Sequence, residues 1–513
     1  MIFRTYNSET VARVFFNSYL FASLFLGLIA LHGFSSGAGV LSTLSGFFYI
    51  VIAALLSLNK RFRRSPFSIL FCYFTFLFLT IPATFSLVKG SDYIYGAGLA
   101  STPFAQSDYQ ESLPLGFLFL SVSWVTIWLG IISAGVSKRE ISQPSFSSIK
   151  LMPILLLGVI VLAVTWIDNQ GFADVQLHGT EKITSLLAFI FFDHAYLILA
   201  GSVLFFKLNE SKCLVNSREI TTLISVIFFG FILMHFISTG SKAVILVILK
   251  LFLFNTFCLS REYPHTRVSF PSIKFLAILA LLSPLLFYFA LIQRISLGSG
   301  VAPDLNTLWA GISKVDASVI YDMSSQILYR LSWGGIDRFL LVFQSFVIDN
   351  FNSDTSREFV IYLAKNTLNL LLPGTPFQEA YAPSSQLFPL VIGNQAMNGN
   401  IGATNLLLNL NTQPYTIFGT FTIIFGLVAP VFLYFFVFIL VFIYNKIRAP
   451  LIKISLLYFF SASLASYGFE VVIGDSAHLF VSILLMYFLI KIFSRFHTRP
   501  AVQTTGSATP QTG

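Results

Sequence analysis

The feature that most constrains this chain is a series of long apolar runs separated by polar connections. Most of the runs are about 17–25 residues long, which is the length that an α-helix needs to cross a bilayer. Backbone groups left unpaired in lipid are costly, so such runs fold as helices. Only 10% of the 513 residues are charged, whereas soluble domains carry about 25%. The sequence therefore predicts an all-α polytopic membrane protein.

Twelve runs fit this description. They predict a single integral membrane domain over residues 1–497. Residues 498–513, rich in Thr, Gly and Pro, are expected to form a disordered tail. The predicted spans are 14–32, 40–58, 67–88, 115–135, 151–166, 183–206, 220–237, 243–259, 275–292, 416–444, 454–473 and 478–493.

The charges of the connecting segments predict the orientation of the spans. When the N-terminus is placed inside, the inside segments, together with Lys491 at the inner end of the last span, hold 21 Lys and Arg against 5 Asp and Glu. The outside segments hold 9 basic against 15 acidic residues. This asymmetry is the positive-inside pattern, so both termini are expected in the cytoplasm. The net charge of +9 is then an orientation signal, and nucleic acid is not an expected partner.

One connection, residues 293–415, is far longer than the others and is called the central segment below. The alternation of spans places it outside the membrane, between spans nine and ten. Apolar spacing predicts a helix within Ser318–Asp349 and an amphipathic helix over Thr355–Leu372. The remainder, Thr375–Tyr415, combines Asn side chains with aromatic rings, which suits hydroxyl-rich ligands. A polar surface loop built from turn residues is the alternative interpretation.

Three arginines of this region are candidate catalytic residues. A guanidinium stays charged and binds phosphate oxygens in a bidentate manner, and a departing diphosphate needs such neutralisation. Arg294 follows span nine directly, at headgroup depth, and Arg330 and Arg338 lie in the first predicted helix. Arg294 could instead be an interfacial anchor, and the other two could simply pair with Asp337, Asp322 or lipid headgroups.

Ionisable residues near the spans supply further candidates, because charge is costly in hydrocarbon. Glu470 and His478 flank the predicted outer turn 474–477, where either could accept a proton from a sugar hydroxyl. Asp193 and His194 fall within span six. Hydrogen bonding between helices is the alternative role for Glu470 and His478.

A second outer turn, residues 238–242, could present backbone N–H groups and the Lys242 ammonium to phosphate. A plain tight turn is the alternative. The sequence contains no nucleotide-binding, dinucleotide or metal-binding motif, so no cofactor is expected. The energy for a glycosyl transfer would then reside in an activated lipid donor.

At the level of architecture the chain resembles the Wzy-type polymerases of O-antigen and related polysaccharides. The shared features are about twelve spans, cytoplasmic termini and a dominant late loop that contains arginines. The local pieces that carry the resemblance are residues 238–242, Gln293-Arg294, Tyr329-Arg330-Leu331 and residues 334–338.

The resemblance implies a bacterial inner-membrane glycosyltransferase of the GT-C type that acts on oligosaccharide repeat units linked to undecaprenyl diphosphate. Besides this substrate, the implied partners are membrane lipids and a chain-length regulator. Arg294, Arg330 and Arg338 are then expected to engage the diphosphate or its glycan. The residues expected to contact substrate are Ser241, Lys242, Trp333, Asp337, Glu379 and Asp475.

Two other functions fit parts of the pattern. An O-antigen ligase transfers a finished glycan, but that family usually has an Arg and a His in its large loop, and the central segment contains no histidine. A transporter or flippase also fits twelve spans with both termini inside. No internal repeat is apparent in the sequence, which favours the polymerase.

We predict that Arg330→Ala or Arg338→Ala abolishes long-chain polysaccharide, because a diphosphate leaving group loses its neutralising cation. Gel analysis of the surface polysaccharide in a complemented deletion strain measures the effect, with immunoblotting of the membrane fraction as control. Normal chain length in both variants would contradict a catalytic role for the central segment.

Overall fold

The computed structural model describes residues 3–32, 39–89, 106–135, 149–150, 152–164, 187, 190–210, 267–271, 316–318, 320–321, 336–343, 347, 353–371, 416–464 and 469–496. This part of the chain is almost entirely helical. The exception within it is one short pairing of two strands.

The helices are numbered in chain order. They are α1 (Ser8–His32), α2 (Val40–Leu56), α3 (Lys60–Arg64), α4 (Pro66–Thr75), a π-helix (Phe76–Thr80), α5 (Ile81–Lys89), α6 (Gln106–Ser133), α7 (Met152–Val164), α8 (Asp193–Glu210), α9 (Ile336–Phe343), α10 (Ser353–Leu371), α11 (Ile417–Phe425), a 3-10 turn (Gly426–Val428), α12 (Ala429–Lys446), α13 (Pro450–Leu464) and α14 (Phe469–Phe496).

Five helical segments of the described part are long and apolar enough to cross a membrane: Glu9–His32, Pro66–Val88, Ser112–Ser133, Ile417–Lys446 and Ser476–Arg495. The helices α2, α7 and α13 are shorter but also apolar. Many of their large side chains are exposed, as is expected of surfaces that face lipid. The prediction of a helical membrane protein is confirmed at this level. The predicted spans 220–237, 243–259 and 275–292 lie outside the described residues.

Helix α6 packs against α2 through aromatic side chains. Tyr49 of α2 stacks on Phe117 of α6 with ring centroids 6.3 Å apart. Nearer the C-terminal ends of the two helices, the indole Nε1 of Trp128 donates a hydrogen bond of 3.0 Å to the carbonyl of Leu56. Residue numbers rise together along the contact, so the two helices are parallel. This is the relative direction that the predicted topology gives to spans two and four.

Helix α6 also lies parallel to α12, which continues from α11. The two backbones approach closely at Gly130, where an added Cβ would lie 2.9 Å from the carbonyl oxygen of Tyr434. Near their ends, Asn445 Nδ2 donates a hydrogen bond of 2.9 Å to the carbonyl of Gly135. The absence of a side chain at Gly130 is what permits this approach, as small residues do in other membrane helix pairs.

The two strands connect distant parts of the chain. Strand β1 (Phe3–Asn7) pairs antiparallel with β2 (Arg267–Pro271), with Phe3 opposite Pro271 and Asn7 opposite Arg267. The topology prediction places both segments on the same side of the membrane, and such a pairing requires this.

The structure corrects two span boundaries. The predicted turn 474–477 is helical, because α14 begins at Phe469 and continues through it, while α13 ends at Leu464. A glycine within a helix costs only about 1 kcal/mol relative to alanine, so Gly474 does not end the helix. Glu470, Asp475 and His478 therefore belong to one helix.

The second correction concerns predicted span six, 183–206. The backbone turns at Phe191, and α8 starts at Asp193. The carboxylate explains the new start, since acidic residues stabilise the first turn of a helix through its dipole.

We predict that Gly130→Ala lowers the stability of the protein by about 1–3 kcal/mol, the usual cost of overpacking. The new methyl group would meet backbone atoms of α12 that cannot rotate away. Thermal denaturation in detergent measures the effect. Gly27→Ala is the matched control, because its methyl group would make only ordinary contacts with Phe47 and Ile50. Equal melting temperatures for the two variants would contradict the close approach at Gly130.

Candidate functional site

Helix α9 of the central segment packs against the N-terminal half of α6. Leu340 of α9 fills the space beside Gly116, which has no side chain of its own. Phe119 of α6 contacts the rings of both Phe339 and Phe343, with centroid distances of 5.9 and 5.2 Å. The hydrophobic effect holds this helix to the bundle, because its side chains Phe339, Leu340 and Phe343 are buried.

Helix α10, also in the central segment, packs against α11 and α14. Ser356 and Phe359 of α10 are buried. The Ser356 hydroxyl donates a hydrogen bond of 2.7 Å to the carbonyl of Ile423 in α11. Two helices of the central segment thus seat on α6, α11 and α14. The parts of α6, α11 and α14 that contact these two helices are called the loop end below.

Helix α14 contributes a buried histidine. His478 is 3% exposed, and its ring lies 4.7 Å from the ring of Phe192, measured between centroids. Phe192 directly precedes α8, and α8 packs against α14. The contact therefore joins two segments that are almost 300 residues apart in the chain.

Two ionisable side chains follow Phe192. Asp193 is 6% exposed, and its Oδ1 accepts a hydrogen bond of 2.6 Å from the backbone N–H of His194. The His194 Nε2 lies 4.0 Å from the same oxygen, and the His194 ring is 5.1 Å from that of Phe192. The rings of His194 and His478 both lie against Phe192, and Asp193 follows Phe192 in the chain. Asp193, His194 and His478 are called the His–Asp cluster below.

The local backbone explains why this cluster forms. The carbonyl of Phe192 accepts the first hydrogen bond of α8, 3.1 Å from the N–H of Tyr196. Asp193 then occupies the first helical position, where the free N–H groups and the helix dipole favour a carboxylate. The Asp193 carboxylate is therefore stabilised by the N–H groups of its own first turn, although the surrounding segment is apolar. His194 follows Asp193 directly and so lies beside the carboxylate.

The side chains of the cluster are of the types that take part in acid–base chemistry. A neutral imidazole accepts a proton near neutral pH, and a neighbouring carboxylate stabilises the resulting cation. Among the residues that the structure describes, no group of His, Cys, Asp and Glu side chains could hold a metal ion. Acid–base chemistry is what these three side chains offer.

The other predicted site residues fall into two groups. The structure describes only the backbone for Asp337 and Arg338, near the start of α9, and for Glu470 and Asp475, in the first two turns of α14. The residues that lie outside the described part of the chain are Ser241, Lys242, Arg294, Arg330, Trp333 and Glu379.

Sequence reasoning selected Asp193, His194 and His478 separately, as ionisable groups in or near apolar runs. It did not predict that they meet, because no local pattern links span six to span twelve. The role of Phe192 was missed for the same reason. A phenylalanine in an apolar run of a chain with 58 of them carries no sequence signal.

Comparison with known proteins gives no relative on which to build. No protein-family model, no curated protein and no solved structure matches the chain.

We predict that Gly116→Val loosens the central segment, because the added side chain overlaps Leu340 and pushes α9 off the bundle. Limited proteolysis in detergent should then cleave within residues 293–415 faster than in the unmodified protein. Leu340→Ala removes the overlapping methyl group, so the double variant should recover part of the resistance. Unchanged cleavage in Gly116→Val would contradict this packing.

Proposed function

We propose that the chain is a Wzy-type polymerase of lipid-linked oligosaccharide repeat units, a membrane glycosyltransferase. Its substrate would be an oligosaccharide on undecaprenyl diphosphate, at the periplasmic face of a bacterial inner membrane. The observation that carries the proposal is the convergence of Asp193, His194 and His478 around Phe192 in a helical bundle that also seats two helices of the central segment.

The proposed topology has twelve spans, both termini in the cytoplasm and the central segment outside. One relation supports it. Helix α6 runs parallel to α2 and α12, as predicted spans two, four and ten should.

The reaction needs a proton acceptor and a neutralised leaving group. The bond between the anomeric carbon and the diphosphate oxygen breaks, and its electron pair leaves with undecaprenyl diphosphate. A new bond forms between that carbon and a hydroxyl oxygen of the acceptor repeat unit, whose proton passes to a base. His478 offers a buried imidazole and His194 an imidazole 4.0 Å from a carboxylate oxygen, and an imidazole of either kind is suited to accept that proton.

The arginines of the central segment would neutralise the departing diphosphate. Arg338 lies in the first turn of α9. Phe339, Leu340 and Phe343 hold this helix against α6, so the backbone of Arg338 is held near the loop end. Arg294 and Arg330 would act with it, and the polar segment 375–415 would contact the glycan. A site with the bundle on one side and the central segment on the other would hold the lipid-linked donor between them.

We predict that His478→Gln and Asp193→Asn each slow polymerisation about 10²–10⁴-fold, the usual contribution of a general base. Both changes keep the size of the side chain but remove its basicity. Polysaccharide gels of a complemented deletion strain measure the chain length, and immunoblots confirm that each variant reaches the membrane. Normal polysaccharide in both variants would exclude the His–Asp cluster as the base.

Two variants serve as matched controls. His32→Gln changes an exposed histidine at the end of α1, and Ser461→Ala removes a buried hydroxyl of α13 that donates only to the carbonyl of Tyr458 in its own helix. Both should keep normal chain length. The deletion strain itself tests the class of function, because a lipid A core that carries a single repeat unit indicates that a polymerase has been lost. Core with no repeat unit would instead indicate a ligase or flippase and overturn the proposal.

A further inference from the structure

Two short segments that are almost 400 residues apart in the chain meet at one end of the bundle. Residues 57–65 connect α2 to α4 through α3, and residues 445–453 cover the end of α12 and the start of α13. Phe67, in the first turn of α4, lies edge-on to Tyr444 of α12, with ring centroids 5.0 Å apart. This contact brings the two segments to the same end of the bundle.

Both segments are basic, and neither contains an acidic residue. Five of their basic side chains are exposed, namely Lys60, Arg61, Arg64, Lys446 and Arg448. Together with Arg63 and Lys453 they are called the basic rim below. Neither segment supplies a carboxylate that could neutralise these cations, so the rim favours an anionic ligand.

Arg63 is held in place from two sides. Its Nε donates a hydrogen bond of 2.6 Å to the carbonyl of Ser57, just beyond the last residue of α2. The guanidinium carbon lies 5.2 Å from the ring centroid of Phe16 in α1. The residue remains partly exposed. The positive charge of Arg63 therefore has a fixed position at the edge of the bundle.

Two lysines of the second segment lie over aromatic rings. The Lys446 Nζ is 5.3 Å from the ring centroid of Phe442, and the Lys453 Nζ is 4.7 Å from that of Tyr444. The negative face of an aromatic ring attracts an ammonium group and so restricts its position. A cation that is already positioned loses less side-chain freedom when it binds an anion, so these contacts favour binding.

Exposed apolar side chains adjoin the rim. Leu55 and Leu58, on either side of Ser57 in the chain, are 53% and 46% exposed. Phe442 and Ile443, one turn before Lys446, are 45% and 42% exposed. A ligand that contacts both the cations and these side chains has an anionic head and an apolar body. A phospholipid has this chemistry, whereas a soluble phosphate has only the anionic part.

We propose that the basic rim binds anionic phospholipids, with the phosphate against the cations and the acyl chains along the apolar side chains that adjoin them. The predicted topology places this end of the bundle at the cytoplasmic face. The orientation of the spans accounts for the sign of the charge at this face. It does not account for the meeting of two distant segments or for the positioning of cations by rings and a carbonyl. The proposal is independent of the function proposed above.

Lipid binding to the purified protein tests the proposal. Native mass spectrometry in a nonionic detergent measures the apparent Kd for dioleoylphosphatidylglycerol and for dioleoylphosphatidylcholine, which share their acyl chains but differ in net charge. We expect tighter binding of phosphatidylglycerol, and weaker binding as the salt concentration rises, because salt screens exposed charges. Equal affinity for the two lipids would overturn the proposal.

A double variant locates the binding surface. Arg61→Gln combined with Arg448→Gln removes one exposed cation from each segment. A basic side chain near a membrane surface contributes about fivefold to the affinity for anionic lipid, so the double variant should bind phosphatidylglycerol roughly 25-fold more weakly. Because both side chains are exposed, we expect the variant to fold.

The matched control removes the same charge elsewhere. Arg357→Gln combined with Lys365→Gln changes two basic residues of α10, neither of them buried. This variant should bind phosphatidylglycerol as tightly as the unmodified protein does. Equal weakening in the two double variants would mean that net charge alone governs binding, and would overturn the assignment to the rim.

Soluble phosphates test the source of the ligand. Glycerol 3-phosphate and inorganic phosphate carry the charge of the headgroup without its acyl chains. An equimolar amount of either should leave the bound phosphatidylglycerol in place, because neither gains from contact with the exposed apolar side chains. Displacement of the lipid at equal concentration would identify a site for a soluble phosphate and overturn the lipid assignment.

Discussion

The close packing of α6 against its neighbours is the constraint on which the rest of the described structure depends. Two glycines make it possible. Gly130 lets the backbone of α12 approach, and Gly116 accepts Leu340 of α9. The two positions are fourteen residues apart, almost four helical turns, and so lie near one face of the helix. One face of α6 thus contacts two helices: α12, which follows the central segment in the chain, and α9, which belongs to the central segment.

The His–Asp cluster depends on a different feature, the start of α8 inside an apolar stretch. A continuous helix through residues 183–206 would satisfy its backbone internally and leave Asp193 as an isolated charge. With the helix starting at Asp193, the carboxylate binds a free backbone N–H, and the preceding Phe192 contacts both histidines. The cost of a polar group in an apolar setting is thereby offset locally.

Much of the helical architecture could be predicted from the sequence, because its apolar runs are long. Runs near twenty apolar residues admit few structures other than a helix, and the amphipathic helix predicted over Thr355–Leu372 is observed as Ser353–Leu371. Boundaries were harder. Gly474 looked like a turn residue and is helical, since a single glycine does not decide whether a helix ends. The pairing of β1 with β2 and the contact of Phe192 with His478 could not be predicted, because each joins residues that are hundreds of positions apart.

The anchoring of the central segment has a consequence for how such a chain can diversify. Helix α10 ends at Leu371 and α11 begins at Ile417, and the two helices pack together. The chain between them therefore starts and ends at two helices that are in contact with each other. Closing a loop of twice the length costs only about 0.6 kcal/mol more. Insertions, deletions and substitutions between residues 372 and 415 can therefore accumulate with little effect on folding, so that recognition of a new ligand can arise there while the bundle stays unchanged.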